Sequence, residues 1–95
     1  MKKIVEFVKF KQKEGTDEGN FLDASDAMLE DVSKFKGFIK RELLKGKDGF
    51  WADLVHWETM EDAQNAMKEV MNHKTCQLFF SMIDESSIDM NHFEI

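Results

Sequence analysis

The alternation of apolar and polar positions is most regular between residues 49 and 72, where it changes from a strand period to a helical one. Residues 50–57 carry large apolar side chains at both odd and even positions, which predicts a strand covered on both faces. Small and apolar residues then recur every three or four positions and predict a helix with one buried stripe. Thr59 is the expected N-cap. The stripe consists of Ala63, Ala66, Met67, Val70 and Met71.

Two further strands and one further helix are predicted before this region. A first strand is expected from Ile4 to Lys11, and a second from Phe38 to Lys45. Between them a helix begins somewhere between Thr16 and Asn20, either of which is a suitable cap. The glycines of the Gly46–Gly49 loop favour a hairpin that pairs the second and third strands antiparallel.

The last part of the chain predicts a short helix and a closing strand. Thr75 is the expected cap of the helix, whose apolar side would consist of Leu78, Phe79, Met82 and Ile83. Polar residues 84–87 predict a loop, and alternation resumes from Ile88 to Glu94.

This order of elements predicts an α+β fold of the ferredoxin-like type, β-α-β-β-α-(short α)-β, with an antiparallel four-stranded sheet. Right-handed crossovers place both main helices on one face and the first and third strands in the centre. The opposite face is also apolar, and nothing else in the chain is predicted to cover it. We therefore expect a homodimer formed through these sheet faces.

Composition and charge indicate which partners and which cellular location to expect. The chain has 95 residues, is 42% hydrophobic and carries a net charge of −6, which predicts one domain over residues 1–95 and no nucleic-acid partner. Charges interrupt the apolar start of the chain, so neither a secretory signal nor a membrane span is expected. A single cysteine excludes an internal disulfide framework. Cytoplasmic location follows by elimination.

Several motifs in the second half resemble one known superfamily. They are W-A-D-L-V-H-W-E-T-M-E-D-A-x-x-A from Trp51, the pair Phe79-Phe80, Ile83-Asp84 and a final M-N-H-F. Together they resemble the antibiotic-biosynthesis-monooxygenase-like branch of the dimeric α+β barrels, mainly over residues 37–95. Relatives commonly have a proline where this chain has Lys36, before Gly37.

The resemblance implies a barrel of two paired sheets and a small hydrophobic molecule held between sheet and helices. Some relatives are cofactor-free oxygenases of aromatic polyketides, some degrade haem, and many have no assigned activity. The expected function is therefore cofactor-independent monooxygenation of a small aromatic or quinol-like compound, with no bound cofactor. The alternatives are a non-catalytic binding or assembly module and a haem-degrading protein.

Polar residues in apolar strands are the candidates for proton transfer. With the first strand between the third and fourth, Glu6 and His92 come close to either Asp53 or His56, depending on which of these two shares their face. A desolvated carboxyl with a nearby imidazole is able to act as a general base toward a phenol or enol. The alternative is that these groups only form hydrogen bonds that set the register of the sheet or dimer.

Aromatic and methionine side chains are the candidates for a substrate pocket. Trp51 and Trp57 would stack on a ligand, and Met67 and Phe80 would form further wall. The alternative for all four is ordinary core packing. No glycine-rich loop of the nucleotide-binding type occurs in the sequence.

A metal or haem site has little support from residue spacing. Glu69 and His73 lie one helical turn apart and Cys76 follows, but no third ligand has a recognised zinc spacing. His73 is the candidate haem ligand, with helix capping as its alternative role. A lone buried cysteine such as Cys76 is usually unreactive.

Overall fold

The computed structural model describes residues 2–95, which form a four-stranded antiparallel sheet with helices on one face. The strands are β1 (Ile4–Gln12), β2 (Phe38–Lys45), β3 (Phe50–Trp57) and β4 (Ile83–Glu94), in the sheet order β2-β3-β1-β4. The helices are α1 (Glu18–Val32), α2 (Met60–Glu69) and α3 (Lys74–Ser81), with a 3₁₀ turn, Val70–Asn72, between the last two. In this described part, no helix is both long enough and apolar enough to cross a membrane.

The predicted fold class, element order and central pair of strands are confirmed. One face of β1 and β3 packs against the helices in a single apolar core, because alternate residues of each strand point to that face. At the centre of this core the Phe21 ring lies 5.0 Å from the rings of both Trp51 and Phe79. The buried core residues are Ile4, Phe10, Phe21, Ala24, Met28, Val32, Trp51, Val55, Trp57, Ala63, Ala66, Cys76, Phe79 and Ile83.

Helix caps follow the expected chemistry at two of the three helices. The Thr59 hydroxyl accepts the Asp62 N–H at 3.0 Å, as predicted. At α1 the expected caps were wrong, because Asp17 is the N-cap and its carboxylate accepts the Asn20 N–H at 2.9 Å. Thr75 was also a wrong prediction: it lies inside α3, where its hydroxyl donates to Asp31 of α1 instead.

Strand β4 is longer than the alternation predicted, because it begins at Ile83 rather than Ile88. The predicted loop at residues 84–87 is wrong. Pairing with β1 continues at Lys11–Asp84 and Lys9–Asp89, so the extra residues bulge between these two positions. Ser87 closes the bulge by accepting the Lys11 N–H at 2.8 Å. Polar residues therefore look like a loop in the sequence although the strand passes through them.

The stripe of α2 is only partly buried. Ala63 and Ala66 are in the core as predicted, but Met67 is 44% exposed and Met71 is 60% exposed. The two alanines are small enough to be buried, whereas the longer methionines are at the exposed side of a cavity, described below, that Ala66 also lines. Their predicted burial was wrong for this reason.

The other face of the sheet has no helix on it. Val5, Phe7 and Leu54 are half-buried there, and Leu44 and Phe93 are exposed. This apolar face lies on the side of the sheet that the helices do not cover.

Gly37 is expected to be the least replaceable glycine of the chain. Its φ is 82°, and an added Cβ would collide with the Asp62 carboxylate. Gly37→Ala should lower the free energy of unfolding by about 3 kcal/mol, from a left-handed backbone and from overpacking together. Urea denaturation measures this loss.

Gly49 is the matched control for this measurement. Its φ is 79°, but nothing lies within 4 Å of an added Cβ. Gly49→Ala should therefore lower the free energy of unfolding by only about 1 kcal/mol, because only the left-handed backbone conformation opposes the substitution. Equal losses in the two variants would contradict the importance of the contact with Asp62.

Candidate functional site

A cavity of about 290 Å³ lies between the sheet and the helices. Its wall is formed mainly by apolar side chains from β1, β3, β4 and all three helices, with Val8 and Val55 in the sheet beneath it. Met67, Met71 and Phe80 stand at its exposed rim. Three ionisable side chains line it, namely Glu6, Arg41 and Asp53. A mostly apolar cavity with a few converging polar groups is the usual form of a small-molecule site.

The register of the sheet explains why these groups share the cavity. Directly paired residues of neighbouring strands have their side chains on the same face. Glu6 is paired with Val55 on one side and with His92 on the other, and Val8 is paired with Asp53. Asp53 therefore lies on the face of Glu6.

His56 lies on the opposite face of the sheet, where it is paired with Val5. Its Nε2 is buried and has no hydrogen-bond partner among the described residues. The structure thus brings together Glu6, Asp53 and His92 but not His56.

Arg41 and Asp53 form a buried bidentate ion pair. The Arg41 Nε donates to Asp53 Oδ1 at 2.8 Å, and a terminal nitrogen donates to Oδ2 at 2.9 Å. The other terminal nitrogen donates to the Ser25 hydroxyl at 2.7 Å and to the Ser25 carbonyl at 3.3 Å. The two charged side chains are only 3% and 11% exposed. This pair links the edge strand β2 to β3 and to α1.

Arg41 was missed as a site residue by the sequence analysis, because the polar centre of β2 resembles that of any edge strand. A signal was present, since a lone Asp in an apolar strand requires a partner. The predicted hairpin at residues 46–49 brings Arg41 onto the same face as Asp53.

Glu6 and His92 are coupled more loosely. Glu6 Oε1 and His92 Nε2 are 3.5 Å apart, and the side chains are 12% and 20% exposed. Within residues 2–95 this contact lacks the geometry of a hydrogen bond, and it is an ion pair only when the imidazole is protonated and the carboxyl is ionised. His92 itself lies beside the cavity rather than in its wall.

The pKa of Glu6 is raised above its ordinary value of 4.5, chiefly because burial disfavours the charged form. The charge of His92 opposes this rise, and the negative charge of Asp53 adds to it. The indole N–H of Trp57 also favours the carboxylate, although it has no well-directed acceptor in the described chain. Glu6 is therefore a carboxyl whose proton is retained to higher pH than in water.

The predicted pocket residues divide into two groups. Trp57, Met67 and Phe80 line the cavity. Trp51 does not, because its ring packs on Phe21 and its indole N–H donates to Gln12 Oε1 at 3.0 Å. Trp51 lies in the core and is not part of the cavity wall.

The candidate metal and haem residues lie outside the cavity. His73 packs against Phe35 and lies 3.3 Å from a Glu69 oxygen and 3.9 Å from an Asp31 oxygen. No group of three or more metal-ligating side chains is found between residues 2 and 95. Cys76 is fully buried, and this burial raises the pKa of its thiol, which lowers its reactivity.

Comparisons with known proteins identify the fold. No protein-family model and no curated protein sequence matches this chain. A solved structure from Bordetella bronchiseptica, named a "putative antibiotic biosynthesis monooxygenase", has 14% identity and a TM-score of 0.84, with 100% of this chain and 98% of the other covered.

A point mutant of SnoaB, a cofactor-independent oxygenase from Streptomyces nogalater, has 12% identity and a TM-score of 0.77, with 96% of this chain and 90% of the other covered. Identities this low establish likeness of fold. The resemblance to the antibiotic-biosynthesis-monooxygenase-like fold is thereby confirmed.

The raised pKa of Glu6 makes stability depend on pH. Between the unfolded pKa, near 4.5, and the higher folded pKa, the native state binds more protons than the unfolded state. The free energy of unfolding should therefore fall as pH rises through this window, by at most about 1.4 kcal/mol per pH unit. Glu6→Gln should remove this loss.

Urea denaturation from pH 4 to pH 8 measures the difference between the two proteins, which should grow with pH and then become constant. Glu14→Gln is the control, because Glu14 is exposed. A difference between wild type and Glu6→Gln that is the same at every pH would contradict the raised pKa.

Proposed function

We propose that this protein is a cofactor-independent monooxygenase of a small aromatic or quinol-like compound. The observation that carries the proposal is a carboxyl with a raised pKa, Glu6, paired with an imidazole at the edge of an apolar cavity. A general base is most effective when its pKa lies close to the working pH. The fold shared with a named cofactor-independent oxygenase supports the same class of reaction.

Glu6 is the proposed base, and His92 is the group that shares its proton. Asp53 acts indirectly, because its carboxylate is held by Arg41 while its charge raises the pKa of Glu6. His56 is not part of this proposal, since it lies on the other face of the sheet.

The proposed reaction begins with removal of a proton from an acidic C–H or O–H of the substrate. The resulting electron-rich carbanion transfers electrons to dioxygen, a C–O bond forms, and the peroxide anion takes the proton back from Glu6 to give a hydroperoxide. For a methylene carbon, the hydroperoxide then loses water and leaves a carbonyl group. One oxygen atom enters the product and the other leaves as water, so the electrons balance without a further reductant.

The cavity fits such a substrate in size and polarity. Its volume of about 290 Å³ is at the small end of ligand pockets, which span roughly 300–1,000 Å³. Trp57 supplies an aromatic surface and an indole N–H that has no well-directed acceptor within the described residues. A substrate oxygen is a suitable acceptor for this N–H.

Oxygen consumption tests the function directly. We expect wild type to consume dioxygen with at least one member of a panel of anthrones and hydroquinones, with no cofactor added. Glu6→Gln should lower kcat by roughly 10²–10⁴-fold, as expected for loss of a general base. An oxygen electrode provides the measurement.

His73→Asn is the matched control, because His73 lies outside the cavity wall. This variant should keep the activity of wild type. Tight binding of the panel without any oxygen consumption would instead favour a non-catalytic binding module. A Soret band on haem titration that His73→Asn abolishes would favour a haem protein.

We further propose that two copies pair through the sheet face that the helices leave open. Val5, Phe7 and Leu54 form the centre of this face, and an apolar surface of this kind is typical of an interface. A second copy would also offer a partner to the buried Nε2 of His56, which has none within this chain from residue 2 onward. A two-fold arrangement presents the same face from both copies.

Leu54→Lys tests this pairing. Leu54 is paired across the sheet with Glu42, so a lysine there is tolerated in one copy but places two buried charges at the interface. Sedimentation velocity at micromolar concentration should show a dimer for wild type and a monomer for the variant. Leu78→Lys, at a 51% exposed helix position, should remain dimeric. A monomeric wild type would contradict the proposal.

A further inference from the structure

Arg41 is the one cation that lines the cavity in the described part of the chain. An arginine beside an apolar pocket ordinarily binds carboxylates, because its planar fork matches two carboxylate oxygens. Here that fork is already occupied. Both of its parallel N–H groups bind Asp53, and the remaining terminal nitrogen binds Ser25.

The charges of the cavity can be counted from this arrangement. Asp53 cancels Arg41, so Glu6 is the remaining ionisable group in the wall, and it holds either one negative charge or none. A ligand carboxylate would add a negative charge close to Glu6 and Asp53 and would find no free cationic donor among the described residues that line the cavity. Burial of an anion without such a donor is strongly unfavourable.

We infer that Asp53 is a specificity-determining residue: by occupying Arg41 it makes the cavity accept neutral aromatic weak acids and reject aromatic carboxylates. The corresponding ligand class is a phenol or enol that enters uncharged. Because this inference concerns binding, it is testable even if the protein performs no reaction.

The inferred selectivity agrees with the proton transfer of the proposed function. This part of the argument rests on that function. When a neutral phenol binds, its O–H bond breaks and a new O–H bond forms on the Glu6 carboxylate. The negative charge moves from Glu6 to the ligand oxygen, so the net charge of the cavity does not change. A ligand that enters as a carboxylate would instead raise the negative charge by one.

Two ligands with the same ring system separate these cases. At pH 7, 2-naphthol is neutral and 2-naphthoic acid is ionised, in line with the ordinary pKa ranges of phenols and carboxylic acids. Isothermal titration calorimetry should show that wild type binds 2-naphthol at least about tenfold more tightly, the loss expected for one missing charged hydrogen bond.

Asp53→Asn releases one side of the Arg41 fork and removes the competing charge. This variant should bind 2-naphthoate on the order of tenfold more tightly than wild type does, and 2-naphthol within about twofold of wild type. The double variant Arg41→Met/Asp53→Leu removes the cation as well and should show no gain for 2-naphthoate. Glu42→Gln, which removes an exposed acid from the neighbouring strand β2, is the control for net charge.

If Asp53→Asn is poorly folded alone, 2-naphthoate should raise its Tm about as much as 2-naphthol does, whereas the Tm of wild type and of the double variant should rise more with 2-naphthol. Equal binding of the two ligands to wild type, no binding of either, or no gain in Asp53→Asn would overturn the inference. Selective binding of 2-naphthol without oxygen consumption would support the inference about Asp53 and would contradict the proposed function.

Discussion

The buried pair of Arg41 and Asp53 is the interaction on which the cavity depends. It joins three elements, since Arg41 belongs to β2, Asp53 to β3 and Ser25 to α1. Removing one partner would leave an uncompensated charge under the helices, a loss of about 3–5 kcal/mol in comparable pairs. With both present, their two charges cancel, and Glu6 is the remaining ionisable side chain in the described cavity wall.

The shape of the cavity follows from the side chains of α2. Ala63 and Ala66 are buried, whereas Met67 and Met71, the latter in the 3₁₀ turn after α2, are exposed; Ala66 and the two methionines all border the cavity. Methionine is unbranched and flexible, so a rim of this composition adjusts to ligands of different outline. The same residues therefore explain why the helix is stable and why it does not fill the space beneath it.

Most of the fold could be predicted from the sequence, because strand and helix periods are local properties. The bounds of β2 and β3 and the Thr59 cap agree with prediction. The bulge in β4 could not be predicted, since polar residues at 84–87 satisfy the criteria of a loop and only pairing with β1 keeps them in the strand. The composition of the site also depends on the sheet register. Either Asp53 or His56 shares the face of Glu6, according to which face of β3 meets the helices, and both faces of β3 carry large apolar side chains in the sequence.

The two polar pairs of the site differ in how firmly they are held, and this difference suits them to different roles. Arg41 and Asp53 make two short hydrogen bonds and are almost inaccessible, so their charges are fixed. Glu6 and His92 meet at 3.5 Å without the geometry of a hydrogen bond. A group that exchanges protons needs charged and neutral forms of similar free energy, which a tightly paired carboxylate does not have. The looser pair is therefore the one that is able to act on a ligand, and the tighter pair provides the fixed environment in which it does so.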